Sequence, residues 1–348
     1  MIVGGIPLLL GGGAKAQYLG ISISTTPHVG VYNWSSAGFG TRFANPAAPL
    51  PDGYGGVNPI SFSPAGTELA YSYGLFGTAP FVMAWPWSAA GFGTKFANPA
   101  TATGTGLSLS FHPDGNAVAV GRDNTPFIQV YAWSSAGFGS KFADPSTVPA
   151  GNSNGLKFSP SGTAIAVAHG LTPFLSAYQW SGSGFGTKSA DPATLPAAQT
   201  RGVAFSSAGT EVVFTQDGSP YLLAYPWTSS GFGTKFADPG TLPVGACNEV
   251  SFSKSGNVLF FTGDGLPYFG AYAWSSAGFG SKFANPGSPP GGACNGIASS
   301  TDEKAVAVGT TSGANRIQAW AWSSAGFGSK YADPATVEPN TVFGVTFA

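Results

Sequence analysis

The sequence predicts an all-β protein, a seven-bladed β-propeller with four-stranded antiparallel blades. Three observations carry this. A thirteen-residue phrase recurs seven times along 348 residues, each repeat reads as four short strands, and the chain ends on a strand that the first repeat lacks.

The phrase is W-[ST]-x-x-G-F-G-[ST]-[KR]-x-A-[ND]-P, opened by Trp34, Trp87, Trp133, Trp180, Trp227, Trp274 and Trp322. Those tryptophans stand 53, 46, 47, 47, 47 and 48 residues apart, the period of a propeller blade. In the unit ending at Trp180, GLKFSP (155–160) reads as a first strand closed by the turn at 160–162. TAIAVAH (163–169) alternates with period two and reads as a second strand. After a turn at 170–173, FLSAYQW (174–180) is a third, and a fourth lies near GTKSADP (186–192). Ala164, Ala166 and Ala168 suit a face packed tightly on its neighbour. Gly184 and Gly186 suit a hairpin that needs positive φ.

The two ends of the chain decide how such a ring closes. Phe158, Phe205 and Phe252 lie 22 residues before one marker Trp and 25 after another. The same count back from Trp34 lands on Gly12, inside a run of glycines, while forward from Trp322 it lands on Phe347. Residues 343–348 are therefore expected to complete the Trp34 blade and hide the open sheet edge. Residues 1–348 form one domain on this reading, with 1–17 as an amino-terminal extension kept in the mature protein. That extension lacks the charged start of a signal peptide, and Gly4, Gly5 and Pro7 interrupt its apolar part.

Composition excludes several classes. Lys+Arg 14 against Asp+Glu 15 gives a net charge of −1, so no basic surface grips nucleic acid. No apolar run reaches the roughly 18 residues of a membrane helix. Aromatic content of 14% supplies burial that a disordered chain lacks. Two cysteines, Cys247 and Cys294, cannot build a disulfide scaffold or a four-thiolate metal site. They share one repeat phase on neighbouring blades and are expected to be free thiols.

The segments VAFSSAGTEVVF (203–214) and SLSFHPDGNAVAVG (108–121) resemble the WD-repeat family. So do the aromatics two residues before each marker Trp: Tyr32, Trp85, Tyr131, Tyr178, Tyr225, Tyr272 and Trp320. The Gly-His pair and the Trp-Asp dipeptide of that family are absent. The GFG[ST][KR]xA[ND]P phrase is similar to repeat propellers encoded by tailed phages, a resemblance that spans nearly the whole chain.

Chemistry is sparse. His28, His112 and His169 occupy unrelated phases and give no convergent site. There is no sialidase-type Ser-x-Asp-x-Gly-x-Thr-Trp box and no G-x-S-x-G elbow. Asp123, Asp217 and Asp264 recur in the turn after the second strand, as turn formers. Lys157, Arg201 and Glu249 lie beside first strands, either as a rim ion pair or as a ligand cluster at the channel mouth. No catalytic, cofactor or metal site is expected.

The most regular charged feature is a ring of cations: Arg42, Lys95, Lys141, Lys188, Lys235, Lys282 and Lys330, each eight residues past its Trp. They protect an outer edge against strand addition or form a belt that meets a partner. Irregular segments at 51–59, 71–81 and 297–316 mark an expected attachment sector, with Asp302, Glu303, Lys304 and Arg316 brought together. The phage resemblance implies a non-enzymatic virion component, decorating capsid or tail or meeting a host surface, with proteins as partners. The alternative is a lectin whose repeated aromatics bind glycans weakly at many sites.

Overall fold

A computed structural model of the chain describes residues 17–47, 59–74, 81–101 and 104–348. Among the described residues, 28 strands form seven four-stranded antiparallel sheets. In the Trp180 blade the strands are Ser153–Phe158, Ala164–His169, Leu175–Ser181 and Gly184–Lys188. First strands face the central channel and fourth strands lie outermost. The fourth strand stops short of Asp191-Pro192, because proline has no amide proton for a ladder. Gly184 has φ +105°, as its hairpin requires, whereas Gly186 does not take positive φ. A Cβ on Gly186 would sit 3.1 Å from that of Gln179, so its role is close cross-strand packing.

The ring closes between the two ends of the chain. Strand Val342–Phe347 pairs with Gln17–Ile23, matching Leu19 with Phe347 and Ile21 with Val345. Tyr18 and Ala348 exchange backbone hydrogen bonds at 3.2 and 3.0 Å. The last strand is thus the innermost strand of the first blade.

Packing between blades explains why the phrase recurs. Trp133 meets Phe138 of its own hairpin edge-on at 4.9 Å and Phe96 of the preceding blade at 5.4 Å. The same interlock joins Phe43 to Trp87, Phe142 to Trp180, Phe236 to Trp274 and Phe283 to Trp322. Tyr331 completes it across the closing seam, 5.3 Å from Trp34. Gly137 (φ +92°) shows why the phrase needs glycine, since a Cβ there would lie 2.7 Å from the Phe96 ring. Ala164, Ala166 and Ala168 face Val203, Val212, Phe214 and Tyr225 of the next blade, small against large.

The marker tryptophans are buried, 3–8% exposed, and offer no open face for a sugar to stack on. The segment at 51–59, apart from Pro59, lies outside the described residues, as do 1–16 and 75–80.

Candidate functional site

The channel is built by first strands that share an irregularity. The ladder with the second strand slips between Ser153 and Gly155, between Thr200 and Val203, between Cys247 and Val250, and between Cys294 and Ile297. These are β-bulges, which re-aim side chains and leave ladder groups unpaired. Two of the orphaned amides find a threonine hydroxyl instead: Gly202 N–H donates to Thr215 Oγ1 at 2.7 Å and Glu249 N–H to Thr262 Oγ1 at 3.1 Å.

At the bulge, side chains reach sideways to the next blade. Asn154 Nδ2 donates to Thr200 O at 2.9 Å, Asn248 Nδ2 to Cys294 O at 2.9 Å and Asn295 Nδ2 to Val342 O at 3.3 Å. Three asparagines in one repeat phase thus stitch first strand to first strand around the channel mouth. The fourth member of that phase is Arg201. One residue further on, the repeats carry Gly155, Gly202 and Gly296, yet the Trp274 blade carries Glu249. Two residues beyond that stand Ala204, Ser251 and Ala298, yet the Trp180 blade carries Lys157.

These three departures line one cavity. It occupies about 900 Å³ along the channel and is walled by Asn154, Lys157, Arg201, Asn248, Glu249, Lys254 and Asn295 among others. No ion pair joins Lys157, Arg201 and Glu249 to one another among the described residues. The partner of Arg201 is Asp217, which takes its Nε and, at 3.1 Å, its Nη2. Gln199 Nε2 also donates to Asp217, and Arg201 Nη1 reaches Asn248 Oδ1 at 3.3 Å. Asn248 in turn donates to Asp264 at 2.8 Å. So the recurrent turn aspartates do more than form turns: they reach back and hold the channel-mouth side chains.

Electrostatics separates the two carboxyls. Burial pushes Asp217 up, but hydrogen bonds from Arg201 and Gln199 outweigh it and hold the group below the usual carboxylate range. Glu249 has no such fork of donors. Protein packed around it raises its carboxyl above the ordinary value, only partly offset by the Lys157 ammonium and the Val250 N–H. The two carboxyls are thus pushed in opposite directions by their surroundings.

His112 Nε2 donates to Gly162 O (3.0 Å) and its Nδ1 accepts from the Asp114 amide at 3.1 Å, while His169 contacts Ser176 Oγ at 3.1 Å. His28 contacts Ile23 O at 3.2 Å, and none of the three lines the channel cavity. Cys247 and Cys294 are buried free thiols. All seven belt cations, Arg42, Lys95, Lys141, Lys188, Lys235, Lys282 and Lys330, bond the Asn or Asp three residues further on. The attachment cluster is not gathered. Strand Ala305–Thr310 stands between Asp302, Glu303 and Lys304 at one end and Arg316 at the other, a separation of roughly 17–20 Å at 3.3–3.4 Å per residue. Glu303 instead accepts the Ser255 amide and Arg316 donates to Gly313 O at 2.9 Å. Among the described residues, no three His, Cys, Asp or Glu side chains gather as a metal site, and no helix is long and apolar enough to cross a membrane.

Sequence reasoning reached Lys157, Arg201 and Glu249 but missed Asp217 as a partner and the asparagine stitches. Column-by-column comparison of the repeats carries that signal.

No family model matches the chain, and no curated protein matches it. Solved structures do. A Bacteroides uniformis protein provisionally assigned as a 6-phosphogluconolactonase superimposes with TM-score 0.74 at 14% identity, covering 96% of this chain and 100% of its own. The Pseudomonas aeruginosa periplasmic gluconolactonase PpgL gives TM-score 0.73 at 15% identity, covering 95% and 99%. The β-propeller domain of Myceliophteria thermophila Cps50 (Swd1) gives TM-score 0.58 at 12% identity, covering 81% and 87%. These comparisons correct the expectation of a non-enzymatic virion protein or lectin, because three of the propellers that match end to end are named as lactonases. What the chain shares with all of them is the propeller fold.

Proposed function

We propose that the protein is a hydrolase of small lactones working inside the channel. The observation that carries this is the convergence of Glu249, Arg201 and Lys157 on one cavity at positions where the repeat elsewhere uses Gly, Asn and a small residue. The fold needs none of the three. The lactonase names of three end-to-end matches supply the reaction class.

Glu249 takes a proton from water as that water attacks the lactone carbonyl carbon. Arg201, held by Asp217, offers its remaining N–H groups to the oxygen that gains charge. The ring C–O bond then breaks, and the proton held by Glu249 passes to the departing alkoxide, leaving an open-chain hydroxy acid. Lys157, Arg201 and Lys254 against Glu249 make the charged lining of the cavity net positive, which favours a lactone bearing an acid group such as a phosphate.

The test is opening of glucono-δ-lactone and 6-phosphoglucono-δ-lactone, followed by proton release against the uncatalysed rate. Glu249→Gln is expected to lower kcat by about 10²–10⁴-fold. No acceleration by the wild type, or an undiminished Glu249→Gln variant, overturns the proposal.

A further inference from the structure

A second cavity lies on the same end of the ring, outside the channel, between the connector that enters the Trp274 blade and that blade's turn after the second strand. It occupies about 170 Å³, the space of five or six waters at ~30 Å³ each. Leu242, Val244, Leu266 and Phe261 supply apolar walls, and Lys282 lines it too. Val244 and Leu266 are 64% and 60% exposed, so the apolar walls of the notch are open to water.

Three departures from the repeat create this notch. Leu266 stands where other blades have Thr26, Thr125, Thr172 and Ser219. Val244 stands where they have Ala150, Ala197 and Gly291. Gly270, like Gly30 of the first blade, stands where other blades have Gln129, Ser176, Leu223 and Gln318, and a Cβ there would lie 2.7 Å from the Phe261 ring and 3.6 Å from Lys282 Cε, so its absence makes room beside the cation. Lys282, like Arg42 and Lys95, has an uncharged partner three residues further on. Lys141, Lys188, Lys235 and Lys330 are neutralised by Asp144, Asp191, Asp238 and Asp333, whereas Lys282 donates to the uncharged Asn285. Burial lowers its pKa, the signature of an ammonium drawn partly out of water.

We infer that this notch is a binding site for a small amphiphilic anion, a carboxylate with a short alkyl chain, the chain lying on Val244, Leu266 and Leu242 and the carboxylate accepting from Lys282 Nζ. The size admits about six to eight heavy atoms, and the charge of Lys282 is what an alkyl chain alone would leave unused.

Sodium hexanoate and 1-hexanol are the probes, titrated against the full chain and followed by amide shifts. Hexanoate is expected to saturate with a Kd of about 1 mM, within the range open to eight heavy atoms, moving the Val244, Leu266 and Tyr268 amides. Hexanol should bind at least tenfold more weakly. Asn285→Asp installs the carboxylate that four other blades carry, so it should fold and reduce hexanoate to the level of hexanol. Lys282→Gln should do the same, and Leu266→Thr should weaken both probes. The inference fails if the wild type shows no saturable binding, if hexanol equals hexanoate, if Asn285→Asp and Lys282→Gln leave hexanoate unchanged, or if the shifts map to the channel around Arg201.

Discussion

Arg42 Nε stands 2.7 Å from Glu338 Oε1, joining the first blade to the segment that precedes the last strand. The Tyr32 hydroxyl donates to the same oxygen at 2.8 Å, and the two charged side chains are only 12% and 8% exposed. Among the described residues, the equivalent cation elsewhere in the ring bonds its local Asx or a backbone carbonyl. Here, at the seam, the cation holds a carboxylate from the other end of the chain.

Removing Glu338 should therefore loosen the closure more than removing any single belt partner. Glu338→Ala leaves Arg42 buried without its carboxylate and is expected to cost about 2–4 kcal/mol. Asp191→Ala in the Trp180 blade, an exposed partner, should cost under about 1 kcal/mol. Urea unfolding midpoints compare the two. Equal shifts would contradict a special role for the seam pair.

The closing strand is the second target. Val345 is buried opposite Ile21, and Phe347 packs edge-on at 5.3 Å against Trp34. Val345→Asp puts a charge into that interface and should cost about 3 kcal/mol or more. Trp fluorescence should shift to the red at a lower denaturant concentration than in the wild type.

A third prediction concerns pH. A carboxyl whose folded pKa is raised stabilises the protein below its unfolded value, and that stabilisation is lost as pH rises through the folded value. Glu249 is such a group, so at neutral pH its charge opposes folding. Glu249→Gln should melt higher than the wild type at pH 7, by about 1–3 °C, and the gain should vanish near pH 4. Lactone hydrolysis by the wild type should rise with pH through an apparent pKa above the ordinary glutamate value. A variant equally stable at both pH values would show that the carboxyl is not hemmed in as described.

Asp217 acts through Arg201. Asp217→Asn keeps the shape but weakens the fork, and it should lower kcat about 3–10-fold with a smaller effect on KM. Because Asp217 is held below its usual range, the stabilisation it brings is present at neutral pH and is lost as pH falls through that lowered value. The variant should therefore be less stable than the wild type at pH 7 and converge with it in acid. Thermal melts at pH 7 and pH 3 beside steady-state kinetics separate the two roles.

Amino-acid order alone determined the ring. Seven copies of one phrase, a 47-residue period and Phe347 in the phase of Phe158 leave little freedom, because each repeat buries its aromatics only against its neighbours. The lone charges at the channel were also readable as departures from a repeat: Lys157, Arg201 and Glu249. What only the tertiary structure decided is which of these groups meet. A bulge turns Arg201 toward Asp217 rather than Glu249, and a six-residue strand keeps Arg316 away from Asp302. The physical reason is that phase along a chain sets which face a residue takes, while hydrogen-bond partners depend on where the bulges and turns of two different strands bring their ends.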